Sequence, residues 1–145
     1  MRLKRTNDNS AASNSSLHHR AGGVIEFKIT ADPLDDAEAG DGMLSLATLS
    51  SYIEEACKVT ALDVLGSGEE SVGVSLSVRQ LSCVRPGDQI RLRAQCVRDP
   101  TSSMIHLHVV VDLGTRLAVV ADHSRLIVER GALRDRQQAR SELTI

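Results

Sequence analysis

The longest stretch of this chain with helical periodicity runs from Met43 to Leu65. Its apolar side chains recur every three or four residues, at Leu46, Leu49, Ile53, Cys57, Thr60 or Ala61, and Val64. This spacing places them in one stripe along a helix, and such a stripe is stable only when another element covers it. The segments that follow must therefore supply an apolar surface that wraps the helix.

Glu54 and Glu55 are neighbours in this segment but lie at different angles to its apolar stripe. At about 100° per residue, Glu54 falls roughly 80° from Leu46, whereas Glu55 falls roughly 180° from the stripe. The pattern predicts a Glu54 carboxylate at the border of the core and a Glu55 carboxylate in solvent. For the role of Glu54, the pattern alone favours a surface ion pair with Lys58, one turn on, worth about 0.3–0.5 kcal/mol, because most glutamates on the shoulder of a helix are solvated.

Five other segments are predicted to be strands, and four of them, all but 116–129, alternate apolar and polar residues, which is the pattern of half-buried strands. One precedes the helix and four follow it: 23–30, 71–84, 89–99, 104–113 and 116–129. Short turns, such as the one at Pro86-Gly87, separate the later strands. On the second strand, the alternation predicts one shared face for Val72, Val74, Leu76, Val78 and Gln80.

One strand, a long helix and four antiparallel strands make a sheet with one apolar face and a single helix to cover it. This order is typical of the hot-dog fold, an α+β architecture in which an antiparallel sheet of about five strands wraps a long central helix. We favour that fold because the strands are long and the helix is apolar around much of its girth. The alternative is another α+β sandwich with the helix on one face.

The two ends of the chain differ in composition from this central part. Residues 1–22 are rich in Ser and Asn and poor in apolar side chains, and residues 131–145 are charged. Such segments cannot bury enough apolar surface to offset the entropy of ordering. We therefore predict a disordered tail over 1–22, a hot-dog domain over 23–130 and a charged tail over 131–145.

Composition argues against several classes of partner. One Phe, one Tyr and no Trp leave little for stacking on single-stranded nucleic acid, and a net charge of −2 implies no polyanionic partner. The apolar runs are far shorter than the roughly 20 residues that span a bilayer. We expect neither a nucleic-acid nor a membrane partner.

Cysteine and histidine spacing argues against metal and disulfide sites. Cys57, Cys83 and Cys96 are odd in number and lack C-x-x-C spacing, so the prediction is free thiols in a cytoplasmic setting. His106 and His108 share a strand face, but it lies opposite the apolar face and has no third ligand nearby. We expect a solvated or interfacial pair, and no metal or other cofactor.

Several short motifs resemble the fluoroacetyl-CoA thioesterase-like branch of the hot-dog superfamily. They are an E-x-A-C run at Glu54–Cys57, a Gly-Glu-x-Ser-x-Gly segment at Gly68–Gly73, a V-x-H-like tripeptide at Val78–Gln80, a Pro-Gly turn at Pro86-Gly87, and a T-H-E-R-like segment at Asp122–Arg125. The resemblance covers about residues 24–130. It implies a homodimer whose sheets pair edge to edge, with an acyl-CoA thioester as the substrate hydrolysed at the interface.

The resemblance also implies a set of site residues, in which this chain departs twice from the family. Members use a helix glutamate, a strand histidine and a threonine near the helix start. The glutamate is matched by Glu54, but Gln80 stands at the histidine position and Leu46 at the threonine position. Ser50 offers a hydroxyl one turn before Glu54, so the predicted catalytic set is Glu54, Gln80 and Ser50.

Four residues are predicted to bind substrate. Gly73 and Arg125 match residues that line the family's site, Leu46 replaces its threonine, and His123 lies in the T-H-E-R-like segment. His123 is also a candidate for a displaced proton acceptor, because histidine exchanges protons near neutral pH.

The two departures leave three functions open. Glutamine forms hydrogen bonds but cannot titrate, and loss of a general base typically costs about 10²–10⁴ in rate. The first hypothesis is hydrolysis of a small acyl thioester in which Glu54 activates water or attacks the carbonyl. The second is a hot-dog protein that binds an acyl thioester or a related small molecule without hydrolysing it. The third is another reaction of an acyl thioester, such as hydration or isomerisation, with Glu54 as the base.

Overall fold

The computed structural model describes residues 4–6, 20–31 and 42–142. A six-stranded antiparallel sheet is formed by β1 (Lys4–Thr6), β2 (Arg20–Thr30), β3 (Glu69–Gln80), β4 (Gln89–Arg98), β5 (Met104–Leu113) and β6 (Arg116–Glu129), in the spatial order β1-β2-β4-β5-β6-β3. Helix α1 (Leu46–Ala61) precedes β3, and α2 (Ala132–Glu142) follows β6. The predicted α+β class and hot-dog fold are confirmed.

Helix α1 begins with a side-chain cap and ends in a tighter turn. The Ser45 hydroxyl accepts a hydrogen bond from the Thr48 N–H at 3.1 Å, which satisfies one of the free donors of the first turn. After Ala61 the chain continues as a 3₁₀ turn over Leu62–Val64. The helix is therefore shorter at both ends than the predicted Met43–Leu65, since hydrophobic periodicity continues through residues that cap or tighten a helix.

The core lies between α1 and the inner face of the sheet. The fully buried helix residues are Leu49, Tyr52, Ile53, Ala56, Cys57, Thr60 and Ala61, and they include most of the predicted stripe. Strands β4 and β5 alternate buried and exposed residues along their length, so each contributes one row to the core. Leu46 is an exception to the prediction: its side chain is 49% exposed, although Leu44, two residues earlier, is buried in the core.

The ends of the chain contain structure that the sequence patterns do not show. Lys4–Thr6 pair with β2 as a short edge strand, and β2 begins at Arg20 rather than Gly23. Three polar residues carry no detectable periodicity, so only the pairing identifies β1. Residues 1–3 and 7–19 lie outside the described residues, and the predicted boundaries at 22 and 130 stay predictions.

A β-bulge in β3 corrects the predicted face of that strand. The pairing with β6 shifts between Gly73 and Ser75, where Gly73 is opposite Arg125 and Ser75 is opposite Ser124. A bulge adds one residue and reverses the alternation beyond it. Gly73 therefore shares a face with Leu76, while Val74 is 53% exposed; the prediction that Val72 and Val74 share the face of Leu76 and Gln80 is wrong.

The three cysteines differ in burial, and this predicts their reactivity. Burial raises the pKa of the Cys57 thiol to about 12 and that of the Cys96 thiol to about 11, whereas Cys83 is exposed. At pH 8 a thiol reagent should modify one cysteine of the native protein and three after denaturation, because only thiolates react. Cys83→Ser should abolish the reaction of the folded protein with the reagent. Rapid labelling of the folded variant would contradict the burial of the Cys57 and Cys96 thiols.

The same two thiols give alkaline pH a destabilising effect. Because their folded pKa values lie above the ordinary value of 9.0, the folded chain holds protons that the unfolded chain releases. These thiols do not lower the free energy of unfolding below about pH 9, and they lower it progressively between about pH 9 and 12. Thermal unfolding of the wild type and of Cys57→Ala across this range should show a smaller loss in the variant.

Candidate active site

Glu54 lies on the shoulder of α1, with its side chain 45% exposed. Glu55, the next residue, is exposed, so the two carboxylates occupy the positions that the helix periodicity predicts. Glu54 faces the end of the sheet where β3 and β6 pair. Its carboxylate therefore contacts buried protein groups and remains accessible to water.

Arg125 on β6 holds one oxygen of this carboxylate. Its side chain is 3% exposed, and its Nη1 donates to Glu54 Oε1 at 3.1 Å. Its Nε donates to the Ser71 hydroxyl at 2.8 Å, and its Nη2 donates to the Ser71 carbonyl at 3.0 Å. A guanidinium is suited to such simultaneous contacts because its donors form a rigid planar fork. Arg125 thus joins α1, β3 and β6 at one point.

His123, two residues before Arg125, contacts the other oxygen of Glu54. The imidazole is 1% exposed, and its Nε2 lies 3.3 Å from Glu54 Oε2 and 3.2 Å from Arg125 Nη1. The opposite ring nitrogen, Nδ1, is 2.8 Å from the Ser75 carbonyl oxygen. Glu54, Arg125 and His123 form a three-residue cluster, which we call the Glu54 cluster.

The local sequence explains why these polar groups point inward. Along β6, Val119, Ala121, His123 and Arg125 are alternate residues, and all four are buried. The two polar members continue a row of core residues, so they need internal partners. Glu54 and the backbone of β3 provide those partners.

Gly73 makes room for the Glu54 carboxylate. A Cβ atom at this position would lie 2.8 Å from Glu54 Oε1 and 3.1 Å from His123 Cε1. The φ angle of Gly73 is not in the left-handed region, so close approach and not backbone conformation requires glycine here. Gly73 thus lies against Glu54 and His123, and its predicted role in substrate binding stays a prediction.

Gly73→Ala should therefore impair the site more than the fold. The added methyl group displaces the Glu54 carboxylate from Arg125 and His123, and we expect a loss of about 10²-fold in any turnover that depends on Glu54. The melting temperature should fall by only a few degrees, since β3 tolerates alanine. Gln95→Ala, on the exposed face of β4, is the control. Equal activity of the two variants would contradict a role for this close approach.

The remaining predicted site residues have hydrogen-bond partners outside the Glu54 cluster. Gln80 is exposed at the end of β3, and its amide donates to the Ser82 carbonyl at 3.4 Å. The Ser50 hydroxyl donates to the Leu46 carbonyl at 2.7 Å, one helical turn back. Within the described part of one chain, no hydrogen bond joins either side chain to Glu54. Their catalytic roles, and a substrate contact by Leu46, stay predictions.

Ser71 and the Ser75 carbonyl are parts of the site that sequence reasoning missed. Both hold members of the Glu54 cluster, on either side of the β3 bulge. Ser71 lies in the Gly-Glu-x-Ser-x-Gly motif, which was a usable signal. The Ser75 carbonyl has no sequence signal, because any residue provides that group.

The outer face of the sheet carries His106 and His108. His106 Nδ1 is 3.1 Å from the Ser124 hydroxyl, and His108 Nδ1 is 3.0 Å from Asp122 Oδ1, with the His108 side chain 57% exposed. Among the residues that the structure describes, no group of three His, Cys, Asp or Glu side chains could hold a metal ion.

The Glu54 cluster can perform proton transfer. One carboxylate oxygen is fixed by a buried cation, and the side chain is nevertheless half open to solvent. A positioned carboxylate of this kind can take a proton from water or attack a carbonyl group directly. Both are steps of acyl transfer.

Comparison with known proteins supports the same chemistry. Residues 12–131 match the family described as fluoroacetyl-CoA-specific thioesterase. No curated protein matches the chain. No helix among the described residues is long and apolar enough to cross a membrane.

Solved structures with the same fold include three of particular interest. A hot-dog-like protein from Thermanaerovibrio acidaminovorans superposes with a TM-score of 0.73 at 18% identity, over 83% of this chain and 92% of that one. A thioesterase superfamily member from Thermus thermophilus gives 0.71 at 20% identity, over 84% and 95%. A mutant of a fluoroacetyl-CoA-specific thioesterase gives 0.70 at 17% identity, over 88% and 99%.

Proposed function

The chain belongs to the fluoroacetyl-CoA-specific thioesterase family, and from this premise we propose that it hydrolyses a small acyl-CoA thioester with Glu54 as the general base. The observation that carries the proposal is the fixed, solvent-accessible Glu54 carboxylate beside Arg125 and His123. Crystal structures of a fluoroacetyl-CoA-specific thioesterase contain fluoroacetate with CoA, and acetyl-CoA. These ligands indicate the substrate class to test first.

The proposed reaction needs only water and the thioester. Glu54 removes a proton from a water molecule while the water oxygen attacks the thioester carbonyl carbon. The tetrahedral intermediate then collapses, the carbon–sulfur bond breaks, and the proton held by Glu54 passes to the CoA sulfur. The products are a carboxylic acid and free CoA, and Glu54 returns to its ionised form.

We propose that the working site lies between two copies of the chain. In the described part of one chain, β3 pairs only with β6, and so this twelve-residue strand is a sheet edge. A long unpaired edge invites pairing with another strand, and Val74 adds an exposed apolar side chain there. Gln80 lies on the same edge, where a second chain could bring it against the thioester.

A dimer is accordingly the expected species in solution. Sedimentation or light scattering at micromolar concentration should give about twice the chain mass of 15.6 kDa. A second measurement on a variant with Val74→Lys should show weaker association, because like charges would meet across a symmetric edge. A wild-type mass of one chain would contradict both the dimer and an interfacial site.

Thioester hydrolysis is tested by assaying the purified full chain against short, branched and aromatic acyl-CoAs with detection of the free CoA thiol. The Cys83→Ser variant is the better enzyme for this assay, because exposed Cys83 would itself consume the thiol reagent. Thiol release that depends on substrate and enzyme concentration supports the proposal. Absence of release from every acyl-CoA would contradict it.

A second candidate function is binding without hydrolysis. It is favoured by Gln80 and Leu46, which stand where the family has a titratable histidine and a threonine hydroxyl. Calorimetric titration with acetyl-CoA separates the two functions. Binding with no thiol release would support a binding module. The cytoplasmic location expected from three free cysteines also stays a prediction.

A further inference from the structure

The hydrogen-bond partners of His123 determine which of its nitrogens carries a proton. The Ser75 carbonyl oxygen can only accept a hydrogen bond, so Nδ1, at 2.8 Å, must donate. The Arg125 guanidinium can only donate, so its 3.2 Å contact with Nε2 is a hydrogen bond when Nε2 accepts; the 3.3 Å contact of Nε2 with Glu54 Oε2 is an ion pair only when the ring is protonated. Both contacts are satisfied together by a neutral imidazole protonated at Nδ1.

This neutral ring places a lone pair opposite Glu54. His123 Nε2 is 3.3 Å from Glu54 Oε2, and with the ring neutral and protonated at Nδ1 both atoms are acceptors with no proton between them. Arg125 Nη1 reaches both groups, donating to Glu54 Oε1 at 3.1 Å and to His123 Nε2. When a proton arrives on Glu54 Oε2, the single lone pair of Nε2 can accept from Glu54 in place of Arg125 Nη1, which keeps its hydrogen bond to Glu54 Oε1.

We propose that His123 is a positioning residue for Glu54, whose Nε2 accepts a hydrogen bond from the Glu54 carboxyl group once that group has taken a proton from water. The inference rests on the proposed hydrolysis. The proton stays on Glu54 Oε2 while it is shared with Nε2, because transfer to the ring would set an imidazolium against buried Arg125. It leaves with the CoA sulfur when the carbon–sulfur bond breaks.

The proposal explains how a chain with glutamine at the family's histidine position can retain an imidazole beside its base. Gln80 is exposed and bonded to Ser82, whereas His123 is buried against Glu54. The Ser75 carbonyl, exposed to this ring by the β3 bulge, fixes the ring orientation. The bulge thus orients the His123 ring, and the ring in turn positions Nε2 beside the Glu54 carboxylate.

Two substitutions of His123 distinguish the roles of its two ring nitrogens. Glutamine reaches the position of Nε2 and offers an acceptor there, whereas asparagine reaches the position of Nδ1 and can still donate to Ser75. We expect His123→Gln to keep kcat within about 10-fold of wild type and His123→Asn to lower kcat by at least about 10²-fold, with KM little changed in both. His108→Gln and His108→Asn on the outer face are the matched controls.

The relative kcat values of the two variants show whether His123 acts through the acceptor Nε2 or through the hydrogen bond from Nδ1 to Ser75. A purely structural role through Ser75 predicts the reverse order, with His123→Asn more active and more stable than His123→Gln. That order, or equal losses in two folded variants, would overturn the proposal. Melting temperatures of both variants establish that the compared proteins are folded.

A spectroscopic measurement tests the proposal without any activity. Nitrogen-15 NMR of the full chain should show His123 protonated at Nδ1 and unprotonated at Nε2 at neutral pH. Glu54→Gln places an amide N–H where the proton would lie, so the Nε2 signal should move while the Nδ1 signal remains. A proton on Nε2 in the wild type, or an unchanged Nε2 signal in the variant, would refute the proposal. The expected spectra together with no thioester hydrolysis would refute only the proposed function.

Discussion

Replacing Glu54 by glutamine should lower kcat for thioester hydrolysis by at least about 10²-fold while the protein stays folded. Glutamine has nearly the size of glutamate, and its amide oxygen can still accept the hydrogen bond from Arg125 Nη1 that now reaches Oε1 at 3.1 Å. It cannot take a proton from water. The change therefore removes the base and retains most of the site's hydrogen bonding.

The neighbouring residue provides a matched control for this experiment. Glu55 lies on the same helix and is exposed to solvent, so Glu55→Gln makes the same chemical change outside the site. Steady-state kinetics of both variants, with circular dichroism as a check of the fold, measure the difference. A Glu54→Gln variant as active as Glu55→Gln would show that another group is the base.

Replacing Glu54 by leucine should have the largest effect on stability, a loss of about 3 kcal/mol in the free energy of unfolding. The cost arises at Arg125, which is 3% exposed and would keep its charge without the carboxylate. Breaking a buried ion pair typically costs about 3–5 kcal/mol, and the lower value applies because Glu54 is half exposed. Urea unfolding measures the change.

A second substitution distinguishes this cause from lost packing. In the Glu54→Leu, Arg125→Met double variant no charge is left without a partner, so part of the lost stability should return even though Arg125 is gone. Glu55→Leu controls for leucine on the helix surface. The opposite outcome is a double variant whose loss in the free energy of unfolding equals the sum of two large losses in the single variants. That result would show that the Arg125 guanidinium stabilises the fold mainly through Ser71.

Elements that bury one face could be predicted from sequence. The stripe from Leu49 to Ala61 and the alternation of β4 and β5 each reflect a local period that matches helix or strand geometry. The border position of Glu54 follows from the same helix geometry. Glu54 could also be chosen as the central site residue, because the family resemblance matches it in place.

Features that depend on contacts between distant segments could not be predicted in this way. The β3 bulge has no periodic signature, and it places Val74 on the face opposite to the one that the alternation predicts. The pairing of Lys4–Thr6 with β2 is equally invisible in three polar residues. Both depend on the strand that lies alongside.

The sequence by itself determined the fold class of this protein, the helix that carries Glu54 and the half-exposed position of that carboxylate, because each follows from the spacing of apolar residues along one element. The tertiary structure alone decided the partners of Glu54. Arg125 is 71 positions away in the chain, and His123 takes its orientation from the carbonyl of Ser75, 48 positions away. Hydrogen bonds over such separations are set by strand register and by a bulge, and neither leaves a pattern in the sequence.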